Sequence, residues 1–324
     1  MSRLNKIKAP IAKEMDEFES YFKKSMRSKV PLLDIITNYI IRRKGKQMRP
    51  IFVFLSARLF GNISQSTYHA AALIELLHTA SLIHDDVVDD SYQRRGFFSI
   101  NALWKNKISV LVGDYLLSRG MQLALNNEEY QLLKIVSDAV NQMAEGELLQ
   151  IEKSRNLNTS EEIYFEIIRK KTAVLLASCT AAGTKSAGAN AEQVEQMRLF
   201  GENIGIAFQI KDDLFDYQQI NKTGKPSGND IQEKKMTLPL IYALNNSPNS
   251  EGKSIKRAIS NNHGNSESIR QILGFVETFG GIDYAHKKMN EYKDKSLQIL
   301  HAFPENEARG CLADLVNYTI ERNR

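Results

Sequence analysis

Residues 66–90 read STYHAAALIELLHTASLIHDDVVDD, and their pattern decides the fold class. Apolar or small side chains recur at three- and four-residue steps (Ala72, Leu76, Thr79, Ile83), the spacing of one helix face, without the strict alternation of a strand. The same period returns at Phe165, Ile168, Thr172 and Leu175. No proline interrupts the chain between Pro50 and Pro226. That gap suits stacked helices, because proline removes a backbone donor and clashes with the preceding turn. The pattern predicts an all-α protein. Ser66 and Thr67 announce a helix over 68–90, the run Thr159-Ser160-Glu161-Glu162 one over 163–183, and Asn190 one over 191–217. Connectors are expected at 94–99, 126–129, 221–230, 245–253 and 261–266. With neither a repeat nor a composition shift, 1–324 reads as a single multi-helix domain.

Composition narrows the function classes. A chain of 324 residues with 42% hydrophobic content has enough apolar surface for a large core, which excludes disorder as the main state. The 43 Lys+Arg against 38 Asp+Glu leave a net charge of +5, too small and too evenly mixed for a nucleic-acid grip or a polybasic membrane anchor. Cys179 and Cys311 have no CxxC spacing, which argues against a disulfide framework or a structural zinc site and for a reducing compartment. The opening residues lack the apolar core of a signal peptide, and no apolar uncharged stretch reaches the ~20 residues of a membrane helix. A cytoplasmic location is expected.

The chemistry is carried by acids. The quoted helix ends in Asp85-Asp86-Val87-Val88-Asp89-Asp90, and a second apolar helix ends in Asp212-Asp213-Leu214-Phe215-Asp216. On a helix, Asp85 and Asp89 lie about 40° apart, as do Asp212 and Asp216, so each cluster points carboxylates one way. Like charges at this spacing destabilise a helix by ~0.2–0.5 kcal/mol, and acids at a C-terminus also oppose its dipole. Hard divalent cations compensate, and Mg²⁺ characteristically takes one or two carboxylates plus phosphate oxygens and waters. Basic residues bracket both clusters: Lys44, Lys46 and Arg49 around Gly45, Arg94 and Arg95 after the first cluster, Lys225 and Lys235 after the second. Acids suited to metal beside bases suited to phosphate point to a diphosphate site. His78 lies within about 20° of the Asp85 face. It reads either as a core histidine or as a ligand contact.

These residues resemble the trans-polyprenyl diphosphate synthases, in particular the long-chain, octaprenyl- and heptaprenyl-type members. The resemblance runs from Gly45-Lys46-x-x-Arg49-Pro50 through Leu77-His78-Thr79, Asp85-Asp86-x-x-Asp89, Arg94-Arg95-Gly96 and Lys171-Thr172. It continues in Phe208-Gln209-x-x-Asp212-Asp213-x-x-Asp216, Gly224-Lys225-Pro226-x-Gly228-x-Asp230 and Lys235-x-Thr237-Leu238-Pro239. One departure is Lys44-Gly45-Lys46-Gln47 where many relatives carry Gly-Gly-Lys-Arg.

The resemblance implies the isoprenoid synthase fold, a helical bundle around a deep central cavity, usually homodimeric. It implies Mg²⁺-dependent, head-to-tail condensation of isopentenyl diphosphate with an allylic primer, farnesyl or geranylgeranyl diphosphate. Asp85, Asp86, Asp89, Asp212, Asp213 and Asp216 would hold three Mg²⁺, and Arg94, Lys171, Lys225 and Lys235 the allylic diphosphate. Lys46, Arg49, His78 and Arg95 would take isopentenyl diphosphate, Thr172 and Gln209 would face the reacting carbons, and the tail residues Arg322 and Arg324 would close over the isopentenyl site. One turn deeper than Asp85, Ala80 and Ser81 are small where short-chain relatives carry an aromatic floor, with Leu77 and Ile74 deeper still. A long product is expected, suited to quinone side chains and released with transient membrane contact.

Competing readings are a short-chain synthase, a regulatory subunit of a heteromeric prenyl synthase, a terpene cyclase, and a carboxylate di-metal oxidase. The last rests on Glu75-x-x-His78. Its second half is missing from the chain, which offers only Asp283-x-x-His286.

Overall fold

The computed structural model describes residues 2–42, 45–94, 96–154, 157, 159–218, 229–260 and 266–321, with backbone alone for Arg94, Gln218, Asn229 and Ser266. The described residues are helical nearly throughout and divide into two compact units. The first comprises residues 1–140, 178–198 and 303–315, the second 141–177, 199–302 and 316–324.

Unit 1 begins with α1 (Arg3–Lys8), a 3₁₀ turn, α2 (Ala12–Ser25), α3 (Pro31–Arg42) and α4 (Met48–Phe60), followed by α5 (Gln65–Val88). The signals at 66–67 misplace the start of α5 slightly: Ser64 is the N-cap, and the Thr67 hydroxyl three residues on accepts from the Ser64 N–H. The helix also ends two residues early. Asp89 becomes the C-cap and Asp90 turns left-handed at φ 49°, a conformation Asp tolerates better than most residues. The expected 94–99 connector is a small antiparallel hairpin, β1 (Gln93–Arg94) and β2 (Phe97–Phe98). Then α6 (Ile100–Asn126), kinked at Lys105, runs antiparallel to α5, with Gly113 facing His84 and Gly120 facing Leu77. Leu76, Ala80 and Ile83 of α5 share a core cluster with Val112 and Leu116 of α6.

After α7 (Tyr130–Ser154), the predicted single helix over 163–183 is three pieces. It comprises α8 (Glu161–Ile168), a π turn (Arg169–Ala173) and α9 (Val174–Ser186). Next is α10 (Ala191–Gln218), capped as expected by Asn190, whose side chain accepts from the Gln193 N–H at 2.9 Å. The second unit continues with α11 (Asn229–Gln232), α12 (Leu238–Asn246), α13 (Asn249–Ser260), α14 (Ser266–Thr278) and α15 (Gly281–His301), and α16 (Glu307–Glu321) ends the described chain. The connector expected over 245–253 is mostly helix. Gly252, Ile255 and Ile259 make a buried face that its polar composition hides, and the break is only the pair before Asn249. Unit 2 packs around Ile206, Ile210 and Leu214 of α10, with Leu240, Ile272 and Val276. Among the described residues no helix is long and apolar enough to cross a membrane.

Candidate active site

Unit 1 carries the first acid cluster at a helix end. Asp86 is buried at 4% exposure, Asp85 is half-buried, and Asp89 is exposed. The backbone closes the end: Asp89 N–H donates to the Asp85 carbonyl at 2.8 Å and Ser91 N–H to that of Asp86 at 2.9 Å. The basic stretch before α4 places Lys46 in the open, and Gln47, the N-cap, takes φ 53°. Arg49 lies in the first turn of α4, where its Nε donates to Glu75 Oε1 at 2.8 Å. This ion pair commits Glu75 to orienting Arg49. Among the described residues no three His, Cys, Asp or Glu side chains gather as a metal cage.

His78 is half-buried on α5, and the Ser81 hydroxyl donates to its carbonyl at 3.2 Å. Of the chain-length candidates, Ala80 is fully buried in the α5–α6 cluster, Leu77 lies against Gly120, and Ser81 is half-buried. Lys44, Arg95, Lys225, Arg322 and Arg324 lie outside the described residues, as does the side chain of Arg94.

Unit 2 assembles more. A cavity of about 170 Å³ is lined by Lys171, Thr172, Gln209, Asp213, Asp230 and Lys235, among others. The π turn builds it. A π turn adds a residue to the helical repeat, so side chains after it rotate relative to α8. Two helices close on this turn through glycines. A Cβ on Gly205 of α10 would lie 2.4 Å from Ala173 Cα, and one on Gly146 of α7 would lie 2.8 Å from the Lys171 nitrogen. No side chain fits at either point. One turn beyond Gly205, Gln209 Oε1 accepts from the Thr172 hydroxyl at 2.8 Å, and one turn beyond Gly146, Gln150 accepts from Lys171 Nζ at 3.3 Å. Lys171 Nζ is also 2.6 Å from Glu147.

Gln209 extends the chain of contacts, its amide donating to Asp213 Oδ1 at 2.8 Å, and the Tyr164 hydroxyl donates to Oδ2 at 2.7 Å. Burial pushes the Asp213 carboxyl up to about 7, and Asp230 adds to the rise, against the two donors, which favour the anion. Asp230 is pushed to about 6 by burial and by Asp216, while Lys235, 3.8 Å away, opposes the rise. Asp230 N–H also donates to Asp216 Oδ2 at 2.9 Å. Lys235 pairs in addition with Glu233, and the Tyr217 and Thr237 hydroxyls meet at 2.5 Å, tying the end of α10 to the segment after Lys235.

The carboxylates of the second cluster offer hard oxygens, the donor type that Mg²⁺ takes together with phosphate oxygens and water. Tyr164 and Glu147 were not picked out from the sequence. Tyr164 stands two helical turns before Lys171, but the intervening π turn removes the periodicity that would have placed it.

Residues 30–276 match the profile of the polyprenyl synthetase family. The chain is 37% identical over 318 residues, covering 98% of it and 97% of the relative, to the all-trans-nonaprenyl-diphosphate synthase (geranyl-diphosphate specific) of Rhodobacter capsulatus. It resembles the crystal structure of a Caulobacter crescentus polyprenyl synthase complexed with calcium and isoprenyl diphosphate. There the TM-score is 0.89 and the identity 34%, over 99% of this chain and 98% of that one. A geranylgeranyl pyrophosphate synthase from Bacteroides thetaiotaomicron matches with TM-score 0.84 and 40% identity over 99% and 100% of the chains. The all-α architecture is the one these synthases share.

Proposed function

The chain belongs to the polyprenyl synthetase family of prenyltransferases, and from this we propose that it condenses isopentenyl diphosphate head-to-tail with an allylic primer, farnesyl or geranylgeranyl diphosphate, to give a long all-trans polyprenyl diphosphate. The observation that carries the reading is the unit 2 cavity, where Lys171, Thr172, Gln209, Asp213 and Lys235 converge. Lys171 and Lys235 hold the allylic diphosphate with Arg94 and Lys225, exchanging their pairings with Glu147 and Glu233 for phosphate oxygens. By resemblance, Asp85, Asp86 and Asp89, and likewise Asp212, Asp213 and Asp216, would hold Mg²⁺, three ions in all. Mg²⁺, when bound, acts as a Lewis acid on the leaving diphosphate. Thr172 and Gln209, locked to each other, face the allylic carbons as the C–O bond ionises. The isopentenyl alkene attacks the allylic cation, and loss of a proton regenerates an allylic diphosphate one unit longer. Lys46, Arg49, His78 and Arg95 hold isopentenyl diphosphate, with Glu75 presetting the Arg49 fork.

The long product rests on the small Ala80 and Ser81 and on the nonaprenyl relative. A second reading, a short-chain product, is favoured by the geranylgeranyl relative and by the packed surroundings of Ala80. The enzyme works in the cytoplasm as a homodimer, and the exposed apolar residues Leu111, Met121 and Leu125 of α6 are suited to pairing. Its product serves quinone side chains and leaves through transient membrane contact.

Incubation with Mg²⁺, farnesyl diphosphate and labelled isopentenyl diphosphate, followed by chromatography of the dephosphorylated products, tests activity and length together. Products longer than geranylgeraniol are expected, and label should not be consumed without metal or primer. Metal-free consumption contradicts the mechanism, and a product stopping at geranylgeraniol selects the short-chain reading.

A further inference from the structure

We propose that Tyr164 is a positioning residue that fixes the plane of the Asp213 carboxylate for the divalent cation of the second acid cluster. The inference rests on the metal-binding reading of that cluster. Tyr164 and Asp213 are buried, at 3% and 6% exposure, and their side chains meet at 2.7 Å beside the cavity both line. A carboxylate on a helix swings about its own side-chain torsions, and the Gln209 donor, one turn earlier on the same α10, restrains only one oxygen. Tyr164 restrains the other from a different element, α8. With one neutral donor on each oxygen the carboxylate plane is set, and each oxygen keeps a second lone pair for a cation.

The donor type matters. A lysine or arginine at this place would also orient Asp213, but its charge would compete with the metal. A phenol orients the ligand and leaves its charge intact, the arrangement by which outer partners sharpen metal sites. Tyr164 is itself held: its N–H donates to the Ser160 carbonyl at 3.0 Å, and its ring meets Phe165 edge-on, with centroids 5.4 Å apart. Its hydroxyl is committed to Asp213, so its effect is read as metal affinity.

The test is calorimetric titration of Mg²⁺ into the full-length protein with inorganic diphosphate present, a pair that does not turn over. Tyr164→Phe should weaken Mg²⁺ binding by about tenfold, within the ~10–100-fold range of outer-partner losses, while the circular dichroism spectrum is kept. In an Asp213→Asn background the same change should have no further effect, because the partner whose plane it sets is no longer a carboxylate. Unchanged affinity in Tyr164→Phe, or equal losses in both backgrounds, overturns the proposal and leaves the metal site standing. A wild-type protein that binds no Mg²⁺ with diphosphate overturns the metal reading and the proposal with it. Should Tyr164→Phe fail to fold, a crystal structure of the wild type with Mn²⁺ and inorganic diphosphate decides. Asp213 must ligate the metal while keeping the Tyr164 hydrogen bond, and a ligated Asp213 without that bond contradicts the proposal.

Discussion

The two acid clusters share a spelling and differ in their surroundings. In each, the second aspartate is the buried one, Asp86 in unit 1 and Asp213 in unit 2, and the first is half-buried. The first cluster closes a helix, with Asp89 as C-cap and Asp90 beyond it, both exposed. The second lies inside α10, and donors from Tyr164, Gln209 and the Asp230 backbone hold two of its acids. The same DDxxD string therefore closes a helix in one place and lies within one in the other, where Tyr164, Gln209 and the Asp230 backbone reach Asp213 and Asp216. The Tyr164 and Asp230 contacts of the second cluster come from residues distant in sequence, so the motif alone does not reveal how its carboxylates are held.

The largest effect that bears on this comparison is loss of turnover. Asp85→Ala and Asp212→Ala should each lower the rate at saturating Mg²⁺ by about 10²–10³ or more, on the scale of removing a preorganised charge-stabilising group. Both should keep the helical circular dichroism spectrum. Near-wild-type turnover in either variant would show that its cluster does not hold metal.

Glycine packing sharpens the comparison in stability. In Gly205→Ala the new Cβ meets the backbone of Ala173, which cannot yield, so a loss of ~1–3 kcal/mol in denaturant titration is expected. In Gly113→Ala of unit 1 the obstacle is the end of the His84 side chain, which can swing, so the loss should be smaller. The reverse order would mean that the π turn is not anchored through Gly205.

The smallest effect is a pH dependence. Burial raises the folded-state pKa of Asp213 to about 7 and of Asp230 to about 6, so the folded protein binds protons more tightly than the unfolded chain. The stability contribution is therefore full below the unfolded value near ~4 and is lost as pH rises through 6–7. Without metal, the melting temperature of the wild type should fall between pH 5 and 8 more than that of Asp213→Asn. Mg²⁺ with inorganic diphosphate should restore more at pH 8 than at pH 5. Equal pH dependence in wild type and Asp213→Asn would remove Asp213 as the source.

Much of this was legible in the sequence. The three- and four-residue period placed α5, and Asn190 marked the start of α10. The pairing of acids with bases singled out Asp213 and Lys235, the family resemblance implied Lys171, Thr172 and Gln209, and all five line one cavity. The π turn was not legible, because its cause is close backbone contact at Gly146 and Gly205 rather than any local preference of Arg169–Ala173. Neither was the Tyr164 contact, which spans 49 positions between helices. The start of α13 was hidden by polar residues around a sparse apolar face.

Hydrogen exchange, followed by mass spectrometry with and without Mg²⁺ and inorganic diphosphate, tests most directly whether ligands firm the helix end at the first cluster more than the helix interior at the second. Amides of residues 85–91, at the end of α5, should gain more protection on addition than those of residues 209–217, which lie within α10. Equal gains in the two segments, or a larger gain at 209–217, would contradict the account.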